Sequence, residues 1–210
     1  MYIPKVFEQT DINQLESIIV NYPFASLVTQ SKNGLEVNHL PLFLDKSAGK
    51  YALQGHIAKA NKLWKVLKDK PEVLVVFHGP NCYISPNYYP TKKEDGRAVP
   101  TWNYVAVHVK GQLFFSDDAE FKLEMLNNLT FQHEQKQSQP WSINDAPEEY
   151  IERMLPAIVG LKIEVSEITG QSKISQNQPE VNQQGIVDGL SAKKQEAASA
   201  IADLIKVNKT

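Results

Sequence analysis

Hydrophobic positions along the chain switch between a helical period and a strand period, and the switches outline its elements. Ile12, Leu15, Ile18 and Ile19 recur at helical spacing behind Thr10 and Asp11, either of which can cap the helix, and Pro23 stops it. Ala25 to Gln30 then reads as a strand, Lys32-Asn33-Gly34 as a hairpin turn, and Leu35 to Leu44 as the returning strand. A second turn at Lys46 to Gly49 leads into Tyr51 to His56, so three consecutive antiparallel strands are the simplest account. Between Ala58 and Lys70 the period becomes helical again, with Ala60, Leu63, Trp64 and Leu67 on one face and Pro71 as the stop.

The second half repeats the pattern. Val73 to Phe77 is an unbroken apolar run, predicted as a strand buried on both faces, and Cys82 to Ile84 is a short extended piece beyond a Gly79-Pro80 turn. Pro86 to Pro100 is polar and reads as an exposed loop. Val105, Val107 and Val109 alternate on a strand from Trp102 to Lys110, and Gly111 suggests a turn or bulge before Gln112 to Phe115. Asp117 with Glu120 forms a capping-box-like start for a helix to about Gln132, and Pro147 to Met154 is a further helix. Leu161 to Ile168 alternates as the last strand, Asn177 to Gly189 looks irregular, and Ala192 to Val207 is an Ala-rich helix. About six or seven strands, mostly antiparallel, with helices inserted and appended, make the fold class α+β.

Charge narrows the function classes. With 22 basic and 24 acidic residues the net charge is −2, which gives no general attraction to a phosphate backbone, and no helix-turn-helix with basic recognition residues is readable. The single cysteine, Cys82, has no internal disulfide partner, which fits a reducing compartment. The start lacks a basic segment followed by a long apolar run, and no stretch approaches the roughly 18 apolar residues of a membrane helix, so a cytoplasmic protein without membrane contact is expected. The five histidines show no metal-ligand spacing, and no metal is expected.

Three stretches carry candidate chemistry. Gly55-His56-Ile57-Ala58-Lys59-Ala60-Asn61 sits where a strand gives way to a helix; unpaired N–H groups and a lysine there suit a phosphate, while an ordinary turn with a solvated lysine also fits. Phe77 to Pro86, followed by Asn87-Tyr88-Tyr89-Pro90, is either a wall for a planar ligand or a turn with outward tyrosines. Thr101-Trp102-Asn103-Tyr104 sets large surfaces beside an amide, suited to a pocket, a dimer contact or core packing.

Taken in order, these pieces resemble the PaiB-like family of FMN-binding negative transcriptional regulators. The resemblance runs from Met1-Tyr2-Ile3-Pro4 through His39-Leu40-Pro41 and Gly55 to Asn61. It continues through Tyr83-Ile84-Ser85-Pro86 and Val99 to Tyr104, and closes on Lys173-Ile174-Ser175-Gln176-Asn177. Lys59 stands where the family commonly has arginine, so it would meet a phosphate as a point charge rather than bidentately. The resemblance implies a split β-barrel, a homodimer and FMN as cofactor. It implies an FMN-binding domain over residues 1–170, with 171–210 as a C-terminal extension and helix packed on it. The phosphate would lie near His56, Lys59 and Asn61, and the flavin ring along His39 and Leu40. Thr101, Trp102, Asn103 and Tyr104 would cover the ring, with Lys173, Gln176 and Asn177 closing the site. The implied function is negative transcriptional regulation, with DNA engaged directly or indirectly. The alternative is an FMN-dependent oxidoreductase of unknown substrate, and haem binding is a third reading.

Overall fold

A computed structural model describes residues 1–47, 49–67 and 70–208 of the chain. Ala48 of the expected second turn, and Lys68 and Asp69 of the expected helix from Ala58, lie outside the described residues. The strands are β1 (Glu8–Gln9), β2 (Phe24–Ser31), β3 (Gly34–Pro41), β4 (Phe43–Asp45), β5 (Ala52–Ala58), β6 (Glu72–Ile84), β7 (Thr101–Ser116) and β8 (Ile158–Lys173). The helices are α1 (Ile12–Asn21), α2 (Leu63–Val66), α3 (Lys92–Asp95), α4 (Ala119–Glu134), α5 (Glu148–Met154), α6 (Glu180–Ser191) and α7 (Glu196–Val207). Strand order is β3-β2-β6-β7-β8-β5-β4, with β1 beside β8. The β1–β8, β2–β3, β2–β6, β4–β5 and β5–β8 pairs are all antiparallel, so the class is α+β as the periods predict.

The chain clusters into two compact units. One comprises Glu16–Phe77 and His108–Ile168, the other Met1–Leu15, His78–Val107 and Thr169 onward.

The Glu16–Phe77/His108–Ile168 unit closes on itself at a corner. A single strand from Leu35 to Leu44 is expected, but two form, because the chain changes partner at Leu42. Pro41 is the last residue to pair with β2, the Leu42 N–H donates to Pro23 O at 3.0 Å, and Phe43 opens the pairing with β5. β3 and β4 end the strand order on opposite sides, yet only Leu42 separates them in the chain, so this unit's sheet must curl until its edges meet. Gly55 on β5 lies in that seam: a Cβ there would stand 2.9 Å from Pro41 O and 2.8 Å from Leu42 Cδ2, so only glycine lets the backbones come this close. Leu27, Leu42, Leu53, Val75, Phe77, Leu161 and Ile163 are fully buried within it. Each contributes about 1.5–3 kcal/mol of transfer free energy.

Several expectations need correction here. β6 alternates between buried and half-buried positions from Val73 to Phe77, rather than being buried on both faces. It then runs on without a turn at Gly79-Pro80. β7 also continues through Gly111 without a turn, and a Cβ there would strike the Glu164 carbonyl, so the glycine serves close approach. α4 is capped by Asp118, whose Oδ1 accepts from the Phe121 N–H at 2.8 Å, and not by Asp117.

In the other unit, the stretch predicted to be irregular from Asn177 to Gly189 is mostly helix α6. Gly185 and Gly189 made it look broken. They lie one turn apart, and a Cβ at either would run into Tyr88, so they are the close-packing face of a regular helix. Ile186, Val187 and Leu190 of α6 are buried, as are Ile201, Ala202 and Ile205 of α7. The supposed loop from Pro86 to Pro100 holds a 3-10 turn at Pro86–Tyr88 and α3, and it buries Tyr89.

Candidate functional site

The twelve residues singled out in the sequence fall into two groups, one in each unit.

His39, Leu40, His56, Lys59 and Asn61 belong to the Glu16–Phe77/His108–Ile168 unit. Alternation along β3 turns Leu40 into the core and His39 outward, where its Nδ1 lies 3.1 Å from Ser26 Oγ and its ring stacks on Phe24. His56 pairs across the sheet with Gly160, against which Phe121 of α4 packs, so the imidazole faces the α4 layer. Its Nδ1 is buried without a hydrogen-bond partner, and burial pushes its pKa below the usual 6.5.

The helix expected from Ala58 begins only at Leu63 and lasts a single turn, because β5 runs on through Ala58, paired with Ile158. A helix dipole therefore cannot recruit an anion here. Side chains shape the place instead. Asn61 Oδ1 accepts from the Leu63 N–H at 3.0 Å and Asn61 Nδ2 donates to Asn38 Oδ1 at 2.7 Å, leaving the Asn38 Nδ2 buried and unpartnered. Lys59 Nζ donates to Asp117 Oδ2 at 2.5 Å, and the same carboxylate accepts from Lys122 Nζ at 2.9 Å. Lys122 also donates to Leu155 O at 3.1 Å and is 4% exposed. Lys59, then Lys122, holds the Asp117 carboxyl below the usual carboxylate range. Two ammonium groups thus share one carboxylate, a local excess of positive charge.

Lys122 and Asp117 were missed as site residues. A signal existed: Lys122, Met125 and Leu129 share the buried face of α4, and a lysine in a core-facing position needs a partner.

Thr101, Trp102, Asn103, Tyr104, Lys173, Gln176 and Asn177 belong to the other unit. As neighbours on β7, the first four cannot share one surface. Trp102 and Tyr104 line a shallow hollow with His78 and Asn81, and Trp102, 54% exposed, meets Tyr83 edge-on at 6.1 Å. Thr101 and Asn103 line a deeper pocket of about 340 Å³ on the opposite face, with Lys173, Ser175 and Asn177. Lys173 Nζ donates to Thr101 Oγ1 at 2.7 Å and lies over the Phe7 ring. Asn103 is wholly buried and exchanges two hydrogen bonds with the Ser175 hydroxyl, at 2.9 and 3.0 Å. Gln176 is engaged locally, accepting from the Ile174 N–H and donating to Ser172 O.

The family model described as "Putative FMN-binding domain" matches residues 1–167. Over 206 residues the chain is 31% identical to the "Protease synthase and sporulation protein PAI 2" of Bacillus subtilis, covering 98% of this chain and 97% of that protein. An uncharacterized Emericella nidulans protein is 29% identical over 242 residues, covering 98% of this chain and 96% of that one. Among solved structures, the FAD and heme binding protein of Mycobacterium smegmatis aligns with a TM-score of 0.57 at 13% identity, over 87% of this chain and 80% of that one. The flavocytochrome Anf3 of Azotobacter vinelandii aligns with a TM-score of 0.56 at 13% identity, over 81% of this chain and 72% of that one. These likenesses carry the fold, a split barrel, and no more.

Proposed function

The chain belongs to the FMN-binding domain family and its cofactor is FMN; from that premise we propose that it is a PaiB-like negative transcriptional regulator working as an FMN-loaded homodimer. The observation that carries the cofactor's placement is the pair of lysines on one carboxylate. A phosphate dianion arriving at Lys59 would replace the Asp117 contact and gain charge-assisted hydrogen bonds from Lys59, with the buried Lys122 adding to the field. Asn61 and the unpartnered Asn38 Nδ2 and His56 Nδ1 supply polar groups in the same unit, so the residues present fit a phosphate-bearing group. FMN, when bound, supplies electron-transfer chemistry that no side chain has. The protein's part is to hold the phosphate, set the ring against the outward face of β3 at His39, since Leu40 is turned into the core, and cover it with Trp102 and Tyr104 of a second copy.

The dimer reading is supported by an exposed apolar face. Val37 and Leu35 of β3 share a face with Phe24 of β2 by register, and the three are 50%, 74% and 67% exposed. Regulation without direct DNA reading suits a net charge of −2. The Bacillus subtilis relative is named for protease synthesis and sporulation, which suggests a regulated programme rather than one metabolic step.

The test is a flavin titration. Lys59→Ala removes one or more hydrogen bonds to a charged group, each about 1.5–3 kcal/mol, and is expected to weaken FMN binding at least about tenfold. Unchanged affinity would refute this phosphate placement. A gel shift with promoter DNA at low salt decides whether repression is direct. The exposed Trp102–Tyr83 pair keeps the oxidoreductase reading in view, since a planar donor could stack there; anaerobic bleaching of bound flavin by a nicotinamide donor would establish it.

A further inference from the structure

We propose that the groove between the second half of α4 and the segment 140–143 is a docking site for a partner protein, taking a stretch that presents an arginine flanked by apolar side chains. The groove measures about 640 Å³ and lies wholly within the Glu16–Phe77/His108–Ile168 unit. Phe131 stands nine residues beyond Lys122 on α4, roughly 13 Å along the helix, so the groove is apart from the flavin placement and does not depend on it.

Two aromatic side chains lie open in this groove: Phe131 is 68% exposed and Trp141 45%. Two such rings in one concavity mark a surface that a partner covers. Their faces are also bare of charge. The protein sets a lysine over Trp64, Phe114, Phe7 and Tyr88, but among the described residues no cation stands over Phe131 or Trp141. Both walls are fixed in place. Phe131 rides on the regular helix α4, and the Trp141 N–H donates to Glu134 Oε2 at 3.0 Å. Beyond Trp141, the Ser142 N–H and hydroxyl both donate to Asp145 Oδ2, and Ile143 is buried.

Charge and shape decide what the partner presents. Glu134 lines the groove and no basic residue does. Among the described residues its Oε1 has no hydrogen-bond partner, and no cation lies within ion-pair distance of its carboxylate. Asn127 and Asn128 add amide oxygens. From the start of α4 to the end of α5 the chain has seven acidic and three basic residues, a net charge of −4, although the whole chain carries only −2. A cation is therefore drawn to this face. The open rings select its type. A flat, weakly hydrated guanidinium stacks on indole and phenyl faces and forks its N–H groups to a carboxylate, which a compact ammonium cannot do. The groove is larger than one guanidinium fills, leaving room for flanking apolar side chains against Phe131 and Pro140.

The experiment is fluorescence anisotropy of a dye-labelled hexapeptide of alternating leucine and arginine, titrated with purified FMN-loaded protein at about 0.15 M salt, where loose charge attraction is screened. Saturable binding is expected, at least about fivefold tighter than for the same peptide with lysine in place of arginine. Phe131→Ala and Trp141→Ala should each weaken it at least about tenfold and Glu134→Gln severalfold, with the flavin spectrum of all three unchanged. Phe131 is exposed, so its variant leaves the core intact, and Glu134→Gln keeps an acceptor for the Trp141 N–H. The proposal is overturned if the arginine peptide does not saturate at submillimolar protein, if the lysine peptide binds equally, or if the three variants bind as the parent does. Argininamide binding as tightly as the peptide would also overturn it, by making the groove a small-molecule site. So would a change of gel-filtration volume on Phe131→Ala without peptide present, which would mean that a second copy of this chain fills the groove.

Discussion

A histidine whose ring nitrogen is buried without a partner is held neutral by its surroundings, and His56 should therefore write itself into the pH dependence of stability. Above the usual pKa of 6.5 the imidazole is neutral in both the folded and the unfolded chain, and no proton is exchanged on unfolding. Below it the unfolded chain takes up a proton that the folded one refuses, so stability falls as pH falls, until the depressed folded pKa is reached. The slope is at most ~1.4 kcal/mol per pH unit, and solvent reaching the partly exposed ring reduces it. Urea unfolding at pH 7.5 and 5.5 checks this: His56→Gln should lose less stability between the two than the parent protein, and an equal loss would remove His56 as the cause. None of this is legible in the sequence. Gly-His at the end of a strand marks the position, but not that the ring would face α4 with its Nδ1 buried and unpartnered.

At the scale of elements, the misread stretches share a physical origin. Gly79-Pro80, Gly111, Gly185 and Gly189 all look like breaks in a period, and each lies inside a regular strand or helix. Gly79 admits Val105, whose Cβ would stand 3.1 Å from a Cβ there, and Pro80 is buried beside it within β6. A glycine demanded by a neighbour's approach and one demanded by a turn leave the same mark in a sequence; only the partner distinguishes them. Gly111→Ala should consequently act as overpacking and cost about 1–3 kcal/mol, visible as a lower urea midpoint at unchanged slope. A silent substitution would mean that β7 and β8 are not so closely set at Glu164. By contrast α1, the β2–β3 hairpin and α7 were legible, because capping by Asp11, the Lys32-Asn33-Gly34 turn and an uninterrupted apolar period are local signals. Of the candidate site, Lys59 and Asn61 were legible as a polar pair after a strand. The Lys59 partner Asp117, with Lys122 behind it, lies at and just before the start of the distant α4, Asn61 bonds Asn38 of β3, and the even run Thr101 to Tyr104 hid that alternate residues serve opposite faces.

For the molecule as a whole, the exposed Phe24, Leu35 and Val37 predict association, since all three can be made charged without touching the core. Val37→Glu should convert a dimer to a monomer in gel filtration and loosen FMN with it; an unchanged elution volume would move the dimer contact elsewhere. The corner at Leu42 has a further consequence, for the order of folding. β2 with β3, and β4 with β5, are neighbours in the chain and can pair within tens of residues, whereas the other edge of β5 waits for β8: Ala58 and Ile158, which face each other, are 100 positions apart. Loop-closure entropy makes such a pairing late and slow. During synthesis the free edge of β5 is therefore bare until the last quarter of the chain has emerged, and in that interval the growing polypeptide is most open to capture by a chaperone or by another nascent copy.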